Sequence, residues 1–178
     1  LAGPVSFEVK ALQNTVLPAA DRAAKVAFQQ QASELARTVQ GTSSRLSEAG
    51  DQLRYMKEAV NRAEIEQQAL YAELYALEAT LKGLRQKMSG DPIKRRLDID
   101  QPPSIMNRVF SLAYEQFYST AAPTQTHRDT YGIALEEFEP VLQEVNSFLE
   151  GDMETFKQKL EAAGAPYTPG RKVELGNN

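Results

Sequence analysis

From Phe28 onward the apolar or small residues fall at Phe28, Ala32, Leu35, Val39, Thr42, Leu46, Ala49, Leu53, Met56 and Val60, in steps that alternate four and three. Such a period of 3.5 is the seam that a left-handed supercoiled helix keeps turned toward a partner. The pattern predicts one helix of about 42 residues starting near Pro18, roughly 63 Å long. Pro18 suits a first helical turn because its φ is fixed and it has no N–H, and Asp21 lies near the positive helix end. Gly41 and Gly50 are the weak points, each costing about 1 kcal/mol relative to Ala.

After a break at Asn61 to Ala63 the rhythm returns as Gln67, Leu70, Leu74, Leu77, Leu81, Leu84 and Met88. This second helix, about 25 residues long, is antiparallel to the first because the connection is so short. Ser89-Gly90-Asp91-Pro92 ends it, and a 14-residue linker runs from Gly90 to Pro103. Ser104 is positioned as N-cap of a third, short helix carrying Ile105, Val109, Leu112 and Gln116 along one row, with Phe110, Ala113 and Phe117 beside it.

Thr124 caps a fourth helix whose seam reads Tyr131, Leu135, Phe138, Leu142, Val145, Leu149, Asp152, Phe156, Leu160 and Ala163, with Gly164 and Pro166 closing it. Pro140 lies inside and predicts a kink near residues 136 to 140. Asp152 is the one polar seam position, read as a solvent-reaching site beside Gly151 rather than a buried carboxylate.

The fold class expected is therefore all-α: an elongated antiparallel bundle of four helices, two long and two short. Two layouts fit the lengths. All four helices pack up-down-up-down with the third covering one end, which is the arrangement taken forward, or the second and third stack end to end as one interrupted rod of a three-stranded bundle. Ahead of the helices, Val5-Ser6-Phe7-Glu8-Val9 alternates as a half-buried strand does. A single strand makes no sheet, so unless it pairs with another chain or docks on the helices it reads most simply as the last strand of a preceding β domain. The chain divides into residues 1–17 (strand and linker), 18–164 (bundle) and 165–178 (extended tail).

With 178 residues, 42% hydrophobic and 25% charged, the composition is that of one folded domain. The net charge of −4 arises in the second half, where residues 101–178 hold 11 acids against 6 bases, so nucleic acid is a poor partner. Lys82, Arg85, Lys87, Lys94, Arg95 and Arg96 form the one basic concentration, running off a helix end into a loop, where it could meet an anionic partner or sit in water. The solvated reading is taken forward because bases near a helix C-terminus also favour the macrodipole. Cysteine is absent, which excludes disulfides and thiolate metal sites. No apolar run is long enough to span a membrane, and the start at Leu1 reads as a fragment whose export signal, if any, lies upstream.

Candidate chemistry is thin. His127 is the only histidine, and its place in a first helical turn suits a solvated or capping role better than general-base or ligand duty. One histidine excludes the usual di-metal bundle with its paired Glu-x-x-His motifs, and no zinc ligand set or cofactor motif is present. Glu136, Glu137, Glu139 and Glu144 surround Pro140 and could approach as a glycosidase pair would require, but the alternation with Phe138 and Leu142 points them outward. The seven tyrosines, Tyr55, Tyr71, Tyr75, Tyr114, Tyr118, Tyr131 and Tyr167, read as amphipathic rings at seam edges. No catalytic, cofactor-binding or metal residue is assigned.

Four stretches carry a family likeness: Phe7-Glu8-Val9 with Asn14-Thr15-Val16-Leu17-Pro18, Pro102-Pro103-Ser104-Ile105 with Arg108, Pro123-Thr124-Gln125-Thr126, and Ala165-Pro166-Tyr167-Thr168-Pro169-Gly170-Arg171. In this order the chain resembles the C-terminal region of bacterial sortilin-type β-propeller proteins with BNR-like repeats, often labelled glycosyl hydrolases. The resemblance implies an exported protein in which the bundle follows a propeller and a small β-sandwich, with Val5 to Val9 as the sandwich's closing strand. Any hydrolase activity would belong to the propeller. The function expected is a non-catalytic structural or protein-interaction module that contacts those preceding domains, a protein partner or a second copy of itself. The alternative is an accessory domain that contributes to ligand binding. Arg108 and Arg171 are expected to clamp loops to carboxylates.

Overall fold

The computed structural model describes residues 3–10, 19–63, 67–119 and 121–172. Six α-helices follow in order: α1 (Ala19–Val60), α2 (Gln67–Ser89), α3 (Pro92–Arg96), α4 (Ile105–Tyr118), α5 (Gln125–Ser147) and α6 (Met153–Ala162). A π-helical turn, Phe148–Asp152, joins α5 to α6. The architecture is an all-helical bundle.

α1 runs unbroken for 42 residues, through Gly41 and Gly50, and every one of its ten seam positions is buried. The seam of α2 is buried from Leu70 to Met88, and so is the row Ile105, Val109, Leu112 and Gln116 of α4. Gln67, which opens the expected α2 seam, is exposed instead. Cross-helix bonds fix the layout. Lys57 Nζ meets Glu78 Oε1 at 3.1 Å, Arg85 donates to the Leu46 carbonyl at 2.9 Å, and Gln29 donates to the Gln116 carbonyl at 2.7 Å. As the partner position rises along α2 and α4, the α1 position falls, so these helices are successive stretches of one rod antiparallel to α1.

The third rod is α5, the π turn and α6. Tyr131 packs edge-on against Phe28 at 5.9 Å and Arg45 reaches Asn146 at 3.4 Å, so this rod runs parallel to α1. The four-helix layout is thus replaced by its alternative, three strands with the middle one interrupted. The reason is coverage: a seam as long as α1 stays dry only if α2 and α4 share its length between them. The linker between them holds the short α3, with Asp91 as N-cap accepting from Ile93 N at 2.8 Å. Asp98 then takes the left-handed position (φ 53°) after the last turn.

The strand expected at Val5 to Val9 is absent. Residues 3–10 belong to no regular element, and Val5, Phe7 and Val9 are 81%, 84% and 84% exposed. A strand satisfies its backbone only against a neighbour, and the described residues offer none.

The third rod also corrects its own seam. Buried positions are Ala134, Phe138, Val141, Val145, Phe148, Met153, Phe156, Leu160 and Ala163. Their steps are four and three except for a step of five from Phe148 to Met153, where the Met153 N–H bonds to the Phe148 carbonyl. One extra residue is absorbed in that widened turn. Asp152 therefore leaves the seam and is exposed, with Met153 in its place. At Pro140 the helix continues without interruption. Pro140 and Glu136, whose carbonyl loses its donor, are both exposed, so the missing bond lies on the solvent side of the rod.

Three variants test this packing. Gly41 is exposed in mid-helix with nothing within 4 Å of an added Cβ. Gly41→Ala should stabilise by about 1 kcal/mol and raise the melting temperature by about 2–4 °C. Deleting Gly151 should convert the wide turn to ordinary α-helix and leave every seam residue facing inward, with a small change in thermal melting. Deleting Gln143, between Val141 and Val145, should rotate the remainder of the rod out of register and cost more than about 3 kcal/mol.

Candidate functional site

His127 is built into the start of α5. Thr124 Oγ1 accepts from the His127 N–H at 3.2 Å, and the Thr124 N–H donates back to His127 Nδ1 at 3.2 Å. Gln116 Nε2 donates to the same Nδ1 at 2.8 Å. Two donors on one nitrogen make it the acceptor and place the ring proton on Nε2, which faces Glu115 Oε2 at 3.4 Å. The imidazole thus takes the part that Glu or Gln usually plays in a capping box, and links α4 to α5. Among the described residues, no group of three or more His, Cys, Asp or Glu is arranged to hold a metal ion.

All four acids around Pro140 are exposed. Two of them make bonds between rods: Glu137 accepts from Arg108 Nε at 3.1 Å and Glu144 from Lys87 Nζ at 2.7 Å. Arg108 therefore clamps helix to helix rather than a loop. The rods carry further exposed pairs. The hydrogen bond from Arg37 holds the Glu34 carboxyl below its ordinary range, and the bond to Glu78 holds the Lys57 ammonium above its own. Pairs so open to water add little stability.

Arg171 does clamp a loop. Its side chain is 2% exposed, donates to the carbonyls of Ala165 at 3.1 Å and Pro166 at 2.6 Å, and pairs with Glu161. The loop it holds begins at Gly164 (φ 65°), where Gly164 N bonds to Glu161 O and Ala165 N to Leu160 O, both at 3.0 Å. These crossed bonds are a Schellman closure that only a residue tolerant of positive φ completes without strain. Ala165 and Thr168 are buried as a result, so the C-terminal segment expected to be extended is pinned to the bundle over its first turns.

The residues that sequence reading missed lie on α4. Tyr114, Phe117 and Tyr118 are 66%, 76% and 66% exposed, and Phe110 is partly so. Tyr114 and Tyr118 lie ring to ring at 4.7 Å, and Phe117 meets Tyr118 edge-on at 5.3 Å. Positions 110, 114, 117 and 118 share one helical face opposite the buried row, so α4 is apolar on both sides. The spacing was visible in the sequence, but the tyrosines had been read as seam edges. Tyr71 and Tyr131 are indeed half-buried, whereas Tyr114 and Tyr118 stand away from the seam.

Two of the concavities flank α1 on different sides. A groove of about 530 Å³ between α1 and α5 is lined by Gln30, Gln31, Glu34, Tyr131, Leu135 and Glu139 among others. A cleft of about 600 Å³ between α1 and α2 is bordered by Arg54, Lys57, Lys82 and Arg85. No helix among the described residues is long and apolar enough to cross a membrane.

Replacing Arg171 with Ala removes a buried cation and leaves two loop carbonyls and Glu161 without it. The expected loss is about 2–3 kcal/mol, read by thermal or denaturant unfolding, and Lys should not restore it because its single ammonium cannot serve the same fan of acceptors. Set against known proteins, the chain matches no protein-family model, no curated protein and no solved structure.

Proposed function

We propose that the chain is a non-catalytic structural or protein-interaction module, carried at the C-terminal end of a larger exported propeller protein. The observation that supports this most is the outward aromatic face of α4, mounted on a bundle in which His127 serves as a cap and Arg108 with Glu137 as an inter-rod tie. Apolar surface of this kind, rigidly presented, is what a partner's surface buries. The propeller and sandwich context rests on the four sequence stretches alone. In that context the exposed alternation of Val5, Phe7 and Val9 would complete a sheet supplied by the preceding sandwich.

The test is to replace Tyr114 and Phe117 together with Ser in the chain joined to its preceding domains. Circular dichroism should be unchanged, and the amides of α4 should exchange faster than in the unaltered protein. Equal exchange in both would remove α4 as the docking face. Sedimentation of the isolated chain with and without the same substitutions reads out self-association through this surface.

A second reading, an accessory domain of a glycoside hydrolase that contributes to ligand binding, is favoured by the groove between α1 and α5. There an aromatic ring, Tyr131, stands beside the amides of Gln30 and Gln31 and the carboxylates of Glu34 and Glu139. Titration with oligosaccharides, followed through tyrosine emission and compared with Tyr131→Ala, tests it. Identical traces for the two proteins would dismiss it.

A further inference from the structure

The cleft between α1 and α2 concentrates positive charge on a chain that is negative overall. Arg54, Lys57, Lys82 and Arg85 border it against one acid, Glu78. Lys57 is bound to Glu78 at 3.1 Å and Arg54 reaches Asp51 at 3.4 Å, so these two are balanced. Lys82 has no acid partner among the described residues, and Arg85 spends one donor on the Leu46 carbonyl at 2.9 Å and meets no carboxylate. Two uncompensated cations, one turn apart on α2, therefore face the same space.

That space is also shaped for an apolar body. Pro92 and the aliphatic stems of the four cations form its apolar floor and walls, over the buried Leu53 and Leu81. The cleft extends about 16 Å along α2, from Glu78 to Ser89. Gly50 is part of the arrangement, because a Cβ there would meet the Arg85 guanidinium. The absence of that methyl lets the Arg85 guanidinium lie over Gly50 on α1, where one donor is spent on the Leu46 carbonyl and the others meet no acceptor among the described residues. A purely ionic ligand would leave the floor unused, and a neutral one would leave both cations without a partner.

We infer that this cleft binds a single-chain amphiphile with an anionic head, the head held by Lys82 and Arg85 and the chain laid over Leu53 and Leu81. The inference is independent of the docking role of α4, which lies on another stretch of the middle rod.

Isothermal titration of the purified chain with dodecyl phosphate, kept below its micelle concentration, tests the inference. One molecule should bind per chain. Dodecyl maltoside and dodecyltrimethylammonium, which share the tail, and inorganic phosphate, which shares the head, should each bind far more weakly. Lys82→Gln and Arg85→Gln should each weaken dodecyl phosphate about tenfold, the equivalent of one charge-assisted hydrogen bond. Glu78→Gln should tighten it by removing the one repelling carboxylate, a gain that a damaged fold would not produce. Absence of binding, equal binding of the three dodecyl compounds, or affinity unchanged in the Lys82→Gln, Arg85→Gln double variant would each overturn the assignment.

Discussion

The whole molecule depends on one uninterrupted apolar stripe on α1. A helix that long cannot keep its stripe dry by itself, and no single following helix is long enough to cover it. The chain answers with two rods of equal reach, one made of α2 and α4, the other of α5 and α6 joined by the π turn. The core that results is continuous from Leu35 to Ala165, with Phe28, Ala32 and Leu112 as a smaller cluster at the far end. Burial along this line, rather than any polar network, is what makes three separate rods one body.

Polar groups decide where each rod begins and ends. Ser104 and Thr124 offer their hydroxyls to free N–H groups at the starts of α4 and α5, and Gly90 and Gly164 turn the chain at helix ends with φ of 80° and 65°. Gln116, one of the polar side chains drawn inside, ties the α4 end to His127, and its backbone carbonyl accepts from Gln29 of α1. Its Oε1 has no partner. The sole imidazole of the chain is thereby committed to architecture.

Much of this was legible in the sequence. The seams of α1 and α4 were read residue for residue, that of α2 from Leu70 onward, and the caps at Ser104, Thr124 and Gly164 followed from residue type alone. The third rod was not, because a fixed alternation of four and three was carried across a place where the helix widens. That put Asp152, which is indeed open to solvent, on the seam line in place of Met153, and displaced the earlier positions to Leu135 and Leu142, which are half-buried neighbours of the true line. Spacing alone could not choose between layouts either, since α2 and α4 have the same period whether they lie side by side or end to end. As for sites, sequence pattern placed His127 in a first helical turn and the acids outward, but not the bonds that tie His127 to Gln116 or Glu137 and Glu144 to the neighbouring rod. It had no means to bring Lys82 and Arg85 to Gly50, which lies far away in the chain and near only in the folded rod pair.

The widened turn at Phe148–Asp152 has a bearing on ancestry. A helix that gains one residue must either twist all that follows by about 100° or swallow the newcomer locally, and here it was swallowed. Kin of this chain that lack the additional residue would preserve the same inward faces on both sides of it. A one-position gap in the middle of their longest C-terminal helix would then be the trace of an old insertion that the bundle accommodated.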